Sequence, residues 1–326
     1  MSGGLTNIAG FRTRAADIFG GLAGASLDAL EGPRELLTAS AREVTTDALG
    51  VVEAYASRIG INYVRAYSYR GSYGAPRVAA GGVSAAPADK SFDGFFVGAD
   101  GRAYAPGTPL AEVPAVVPRG GVTTDETFIY VNGISTTRES QSASLELIAE
   151  RTGGRVIGLH NATEGAFLDI IQSAGDTLDI GRNPAVDALA DTVYEEITNG
   201  RNVHLMAHSQ GALITSRALT DVRSRLMVED GLTRREAEGL LARVRVETFG
   251  GAAGAYPNGP QYVHYVNRLD PVSTFFGLGP FRNNLVAPGR GAVVHRFTER
   301  DDAHGFNETY LPRRVPFDSA RRGEFD

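Results

Sequence analysis

The sequence predicts an α/β protein with a mostly parallel sheet of about six strands flanked by helices. Three observations predict it. Between Thr123 and Leu311, short apolar runs alternate with helical patterns. The runs are rich in β-branched and aromatic residues, as strands buried on both faces are. Helix-capping residues stand where several of the helical patterns begin.

Taken in chain order, a length of 326 residues allows one large core plus an extra region. Residues 1–70 read as an N-terminal helical region. Leu36, Leu37, Val44, Leu49, Val52 and Ala56 suggest amphipathic helices, interrupted earlier by Gly20, Gly21 and Gly24. Residues 71–122 turn to Gly, Ala and Pro and read as a linker. Within it, Phe95-Phe96-Val97 and Arg102-Ala103-Tyr104 flank Gly98-Ala99-Asp100-Gly101, a short β-hairpin, before Pro106, Pro109, Pro114 and Pro118. Residues 123–312 form the expected core, and 313–326 a C-terminal tail.

Six strands are expected in that core: Phe128–Asn132, Val156–His160, Val203–Ala207, Val244–Phe249, Tyr262–Val266 and Val293–Phe297. Asn183 caps a helix with Pro184 in its first turn, an apolar stripe of Val186, Leu189, Val193 and Ile197, and Gly200 as its stop. A second helix runs from Gln210 to about Leu226. A third opens at Thr233, whose spacing to Glu236 fits a capping box.

Composition narrows the function classes. A net charge of −6 argues against a nucleic-acid partner, and the absence of cysteine excludes disulfides, thiolate metal sites and cysteine nucleophiles. No H-E-x-x-H pattern or carboxylate cluster points to a metal, and no cofactor motif is present. Met1 to Gly10 lacks the pattern of a conventional signal peptide, and no apolar stretch reaches the roughly 18 residues a membrane span needs. The expected location is the cytoplasm, or outside the cell by a route without a conventional signal peptide.

The chemistry centres on Ala207-His208-Ser209-Gln210-Gly211, between the strand Val203–Ala207 and the helix from Gln210. A nucleophile elbow needs this context: a tight strand-to-helix turn, small residues two before and two after the serine, and a helix N-terminus behind it. Ser209 is the candidate nucleophile, and the N–H of Gln210 a candidate oxyanion donor. The loop after the first core strand, Asn132-Gly133-Ile134-Ser135, offers a second donor, Ile134 or alternatively Gly133. The base and its orienting acid should follow in the order acid, then histidine. Of the histidines after Ser209, His264 and His295 lie within strand patterns. His304 lies in a loop beyond the last strand and is the candidate base. Asp270, just past the strand before it and followed by Pro271, is the candidate acid; Asp301 and Asp302 are rivals. His160, His208, Phe275 and Phe276 are candidate substrate-binding residues, with Leu278 and Phe281 beside the phenylalanines as an acyl-binding wall or short lid.

Four segments of this region resemble the lipase class 3 branch of the α/β-hydrolases. Tyr130-Val131-Asn132-Gly133-Ile134 is similar to the oxyanion strand and loop, and Ala207-His208-Ser209-Gln210-Gly211 to the elbow G-H-S-L-G. Glu247-Thr248-Phe249-Gly250-Gly251-Ala252-Ala253-Gly254 is similar to the T-F-G-x-P-x-x-G turn, and Tyr265–Val272 to the acid segment. Ala207, Gln210 and Ala252 depart from the pattern. The resemblance implies an α/β-hydrolase fold and hydrolysis of carboxylic esters by Ser209, His304 and Asp270, with lipid or phospholipid acyl esters as substrates and transient contact with a membrane surface. The same triad would also serve a thioesterase, acyltransferase or amidase. A hydrolase fold without catalysis would act as a binding module and predicts Ser209 and His304 far apart.

Overall fold

The computed structural model describes residues 90–134, 136–162, 183–279 and 286–325. All belong to one of two compact units into which the chain divides, Arg70–Gly165 with Ile180–Asp326. The helices expected before residue 70, Ser135 and Phe281 lie outside the described residues.

The described residues form an eight-stranded sheet. Its strands are β1 (Phe96–Val97), β2 (Ala103–Tyr104), β3 (Thr127–Val131), β4 (Arg155–Leu159), β5 (Val203–His208), β6 (Val244–Phe249), β7 (Gln261–Asn267) and β8 (Val293–Phe297), in the order β2-β1-β4-β3-β5-β6-β7-β8. The six strands from β4 to β8 across the sheet pair in parallel. These are the six expected strands, each with ends within one residue of the expectation.

Side chains alternate between two cores. Ile129, Val131, Leu205 and Val246 face helices α2 (Pro184–Thr198), α3 (Gln210–Val228) and α4 (Arg234–Leu241). Phe128, Tyr130 and Met206 face α1 (Arg138–Thr152) and the C-terminal segment. The caps arise as the sequence implies. Asn183 accepts from the Val186 N–H, and Thr233 and Glu236 form a reciprocal capping box.

One expectation needs correction. The hairpin is not confined to a linker, because β1 pairs antiparallel with β4 and extends the sheet. Phe96 and Val97 are both fully buried, and β1 supplies partners to a strand edge that would otherwise leave its N–H and C=O groups unpaired. Farther along the proline-rich segment, Val116 bridges Val156. The C-terminal tail, from 313 on, packs against the sheet. Phe317, on α6 (Phe317–Arg321; α5 is Pro271–Phe275), is 3% exposed and joins the second core, burial worth about 1.5–3 kcal/mol. Arg314 enters the same region and donates to Glu247 Oε1 at 2.8 Å. Burial alone would push the Glu247 carboxyl up. Arg314 and His204 outweigh it, and the carboxyl sits below its ordinary value.

Chain direction decides where a site can form. From β3 the chain moves outward to β4, then returns to β5 on the other side of β3. Connections leave in opposite directions there, the switch point at which open α/β sheets build their sites at the carboxyl ends of the strands. Gly133 follows β3 and Ser209 follows β5.

Candidate active site

Ser209 links β5 to α3 with φ 55° and ψ −122°, a backbone conformation that a non-glycine residue adopts only under constraint. The constraint is visible. Its N–H donates to the Phe249 carbonyl at 3.1 Å, and its own carbonyl accepts from Ala212 at 3.1 Å and Ala252 at 2.9 Å. Small neighbours make room. A Cβ on Gly133 would come within 3.0 Å of the Ser209 Cβ, and one on Gly211 would strike the Val131 carbonyl.

His304 reaches this serine from 95 positions along the chain: its Nε2 lies 2.9 Å from Ser209 Oγ. Its Nδ1 lies 2.8 Å from Asp270 Oδ2. A carboxylate only accepts, so Nδ1 carries the proton, and Nε2 is left to accept from the serine hydroxyl. Asp270 is fully buried, caps the short helix α5, and takes the Val272 N–H on Oδ1 at 2.9 Å. The Tyr310 hydroxyl donates to Oδ2 at 2.6 Å. Burial, and then the Asp270 charge, hold that phenol well above its ordinary range, so it stays a donor. Gly250, at φ 55°, lies so close that a Cβ would come 2.6 Å from Asp270 Oδ2.

The loop carrying His304 is pinned by side chains rather than by the sheet. Asn267 Nδ2 donates to the carbonyls of Glu299 at 2.8 Å and Ala303 at 2.9 Å. His208 Nε2 donates to the His304 carbonyl at 2.9 Å. Burial and the nearby His304 lower the proton affinity of His208 well below the ordinary value, which keeps it a neutral donor. Asp302, a rival acid, instead shapes the turn, with φ 48° and its carbonyl accepting from Gly305 at 2.8 Å.

Two backbone donors stand near the serine. Gln210 is the first residue of α3, so its N–H has no acceptor within the helix. The Gly133 carbonyl accepts from Asn132 Nδ2 at 2.8 Å and Thr136 Oγ1 at 3.0 Å. A trans peptide sends its N–H opposite to its carbonyl, so these bonds fix the direction of the Ile134 N–H. Asn132 also exchanges bonds with Asn161, whose Nδ2 donates to Gln210 Oε1 at 2.8 Å. One amide network thus ties both donor-bearing segments together.

The chain matches no family model, no curated protein and no solved structure.

Of the expected site residues, Ser209, His304 and Asp270 meet in one hydrogen-bonded row, with Gln210, Gly133 and Ile134 beside it. The expected substrate contacts fare differently. His160 and His208 are fully buried, and each commits a ring nitrogen: His160 Nδ1 lies 2.9 Å from Gln141 Oε1, and His208 donates to the His304 loop. Phe276 is 7% exposed, while Phe275 beside it is half-buried. Tyr310, Asn267 and Asn161 were missed from the sequence. Asn267 stood inside the quoted acid segment, but nothing local marks it as a loop anchor. Among the described residues, no group of three or more His, Asp or Glu side chains is arranged to hold a metal ion, and no helix is long and apolar enough to cross a membrane.

Proposed function

We propose that the chain is a serine hydrolase of the α/β-hydrolase type that cleaves carboxylic esters through an acyl-enzyme. The observation that carries the reading is the row Ser209 Oγ, His304 Nε2 and Nδ1, Asp270 Oδ2, with links of 2.9 and 2.8 Å. It starts from a serine held at φ 55°. A packing serine needs neither the strained turn nor the imidazole. A non-catalytic use of the fold called for Ser209 and His304 far apart, and their contact counts against it.

In this reading Ser209 Oγ attacks the ester carbonyl carbon while His304 Nε2 takes the hydroxyl proton. The carbonyl π electrons move onto oxygen, and the N–H groups of Gln210 and Ile134 hold the resulting oxyanion. The imidazolium faces the buried Asp270 carboxylate, which stabilises it and fixes its orientation. The tetrahedral centre collapses, the C–O bond to the alcohol breaks, and His304 returns its proton to the departing oxygen. Water, activated by the same imidazole, then attacks the acyl-serine and regenerates the hydroxyl. Lipid or phospholipid acyl esters are the substrates we propose, on the likeness of the four segments to lipase class 3. Phe275 and Phe276, at the end of the short helix that Asp270 caps, are the residues we propose to meet an acyl chain.

A fluorophosphonate probe tests the reading. Wild type should be labelled, and Ser209→Ala should not. Equal labelling of the variant would overturn the assignment. A panel of esters, thioesters and amides of varied chain length then identifies the bond cleaved.

A further inference from the structure

Asp270 carries a carboxylate with no exposed surface, and among the described residues no lysine or arginine pairs with it. Three hydrogen-bond donors hold it: the Val272 N–H on Oδ1, and both His304 Nδ1–H and the Tyr310 hydroxyl on Oδ2. The tyrosine cannot easily turn away. Its oxygen accepts the Asn267 N–H at 3.1 Å, which leaves the hydroxyl hydrogen aimed at Asp270. Two donors therefore share one carboxylate oxygen, and the tyrosine makes the shorter of the two bonds.

Resting on the hydrolase reading above, we propose that Tyr310 is a positioning residue whose hydroxyl, by sharing Asp270 Oδ2 with His304, lowers the pH below which the Asp270–His304 pair takes up a proton and the nucleophile is silenced. The direction does not depend on where that proton resides. A hydroxyl dipole with its positive end on the carboxylate stabilises the pair most when its net charge is −1. It stabilises the pair less once a proton has arrived, whether on the imidazole or on the carboxyl. Removing the hydroxyl strengthens proton uptake in either case.

Among the described residues, three other groups lie beside the pair. His208, at the end of β5, has its ring centroid 4.6 Å from that of His304 and is neutral. Asp302, in the histidine's own loop, attracts a proton to His304. Burial raises its own carboxyl, opposed by His304. Ser209 Oγ lies 2.9 Å from His304 Nε2. Tyr310→Phe keeps the ring, and with it the contact to His208, whose ring centroid lies 6.2 Å away.

The test compares wild type, Tyr310→Phe and Tyr310→3-fluorotyrosine, using the full chain. The rate of fluorophosphonate labelling is followed across pH, and the His304 ring protons are titrated by NMR without any probe. Tyr310→Phe should move the acid limb of the labelling profile and the NMR midpoint upward by about one unit. Labelling on that limb would then slow about tenfold. The fluorinated phenol, a stronger donor in the same shape, should move both downward, and it serves if the phenylalanine variant does not fold. A merely structural tyrosine would leave both midpoints where they are, and that result overturns the proposal. If wild type is not labelled yet the NMR midpoints move as stated, the hydrolase reading fails and the role of Tyr310 stands. If labelling depends on Ser209 and the midpoints do not move, the reverse holds.

Discussion

Gly211 lies with its α-carbon against the end of β3: a Cβ there would strike the Val131 carbonyl and come 2.8 Å from the Asn132 carbonyl. Both obstacles are backbone, so neither can swing aside. Gly211→Ala must push the start of α3 away from β3, carrying the Gln210 N–H and Ser209 with it. The expected loss is about 1–3 kcal/mol of stability, as for other overpacked positions. Ser209-dependent labelling should slow by roughly 100-fold, because reacting groups tolerate little misplacement. Gly239→Ala is the control, since nothing lies within 4 Å of its Cβ. Urea unfolding and labelling rates check both variants. A Gly211→Ala protein with wild-type stability and labelling would contradict the packing argument.

What the sequence discloses is local chemistry and chain order. The six parallel strands were legible because each is a short apolar run closed by turn residues, and the caps at Asn183 and Thr233 because a side chain bonds backbone three residues away. That Ser209, Asp270 and His304 would come together was legible because they stand in that order just past the strands β5, β7 and β8. Non-local pairing was not legible. The edge pairing of β1 with β4 joins Phe96 to Leu159, and nothing within the hairpin announces that partner. Helix α1 buries Ser140, Gln141 and Ser144 alongside Leu145 and Ile148, so its apolar period is too weak to read. Tyr310 sits 40 positions from Asp270, and a tyrosine in a Tyr-Leu-Pro turn looks like any other. His208 was visible as a residue, but its role was not. Beside Ser209 it reads either as a substrate contact or as packed against the serine; it is packed, and its bond to the His304 carbonyl supports the histidine loop.

Acid should weaken this fold before any carboxylate titrates fully. His264 is buried with Nδ1 2.8 Å from Thr248 Oγ1 and its Nε2–H on the Pro288 carbonyl. Burial lowers its pKa from 6.5 to about 4, and His208 shifts in the same direction. Unfolded, each takes a proton near the ordinary value of 6.5. Folded, each stays neutral until the pH is much lower. Across that window the unfolded chain binds more protons, so stability is full above about pH 7 and declines as pH falls toward 4. The His264 shift alone corresponds to about 3 kcal/mol. Urea unfolding at pH 7, 6, 5 and 4 measures the decline, and His264→Gln should flatten part of it. An identical pH slope in that variant would remove His264 from the account.

The direction of the Ile134 N–H depends on Asn132, and that dependence can be isolated. Asn132 is fully buried, and its Nδ2 donates to the carbonyls of Gly133 and Asn161, each at 2.8 Å. Asn132→Asp keeps the shape but replaces both donors with an acceptor, setting oxygen against oxygen at two carbonyls. The Gly133–Ile134 peptide is then driven to turn, taking its N–H away from the direction it now holds. The row from Ser209 to Asp270 shares no hydrogen bond with Asn132 and should persist. A donor that acts on the oxyanion works only in the transition state, so kcat should fall with KM nearly unchanged. The drop should be about 100- to 1,000-fold, the usual consequence of losing one such donor. Steady-state kinetics on the best ester from the substrate panel decides it. A rise confined to KM would assign Asn132 to ground-state binding, and unchanged kinetics would take Ile134 out of the oxyanion site.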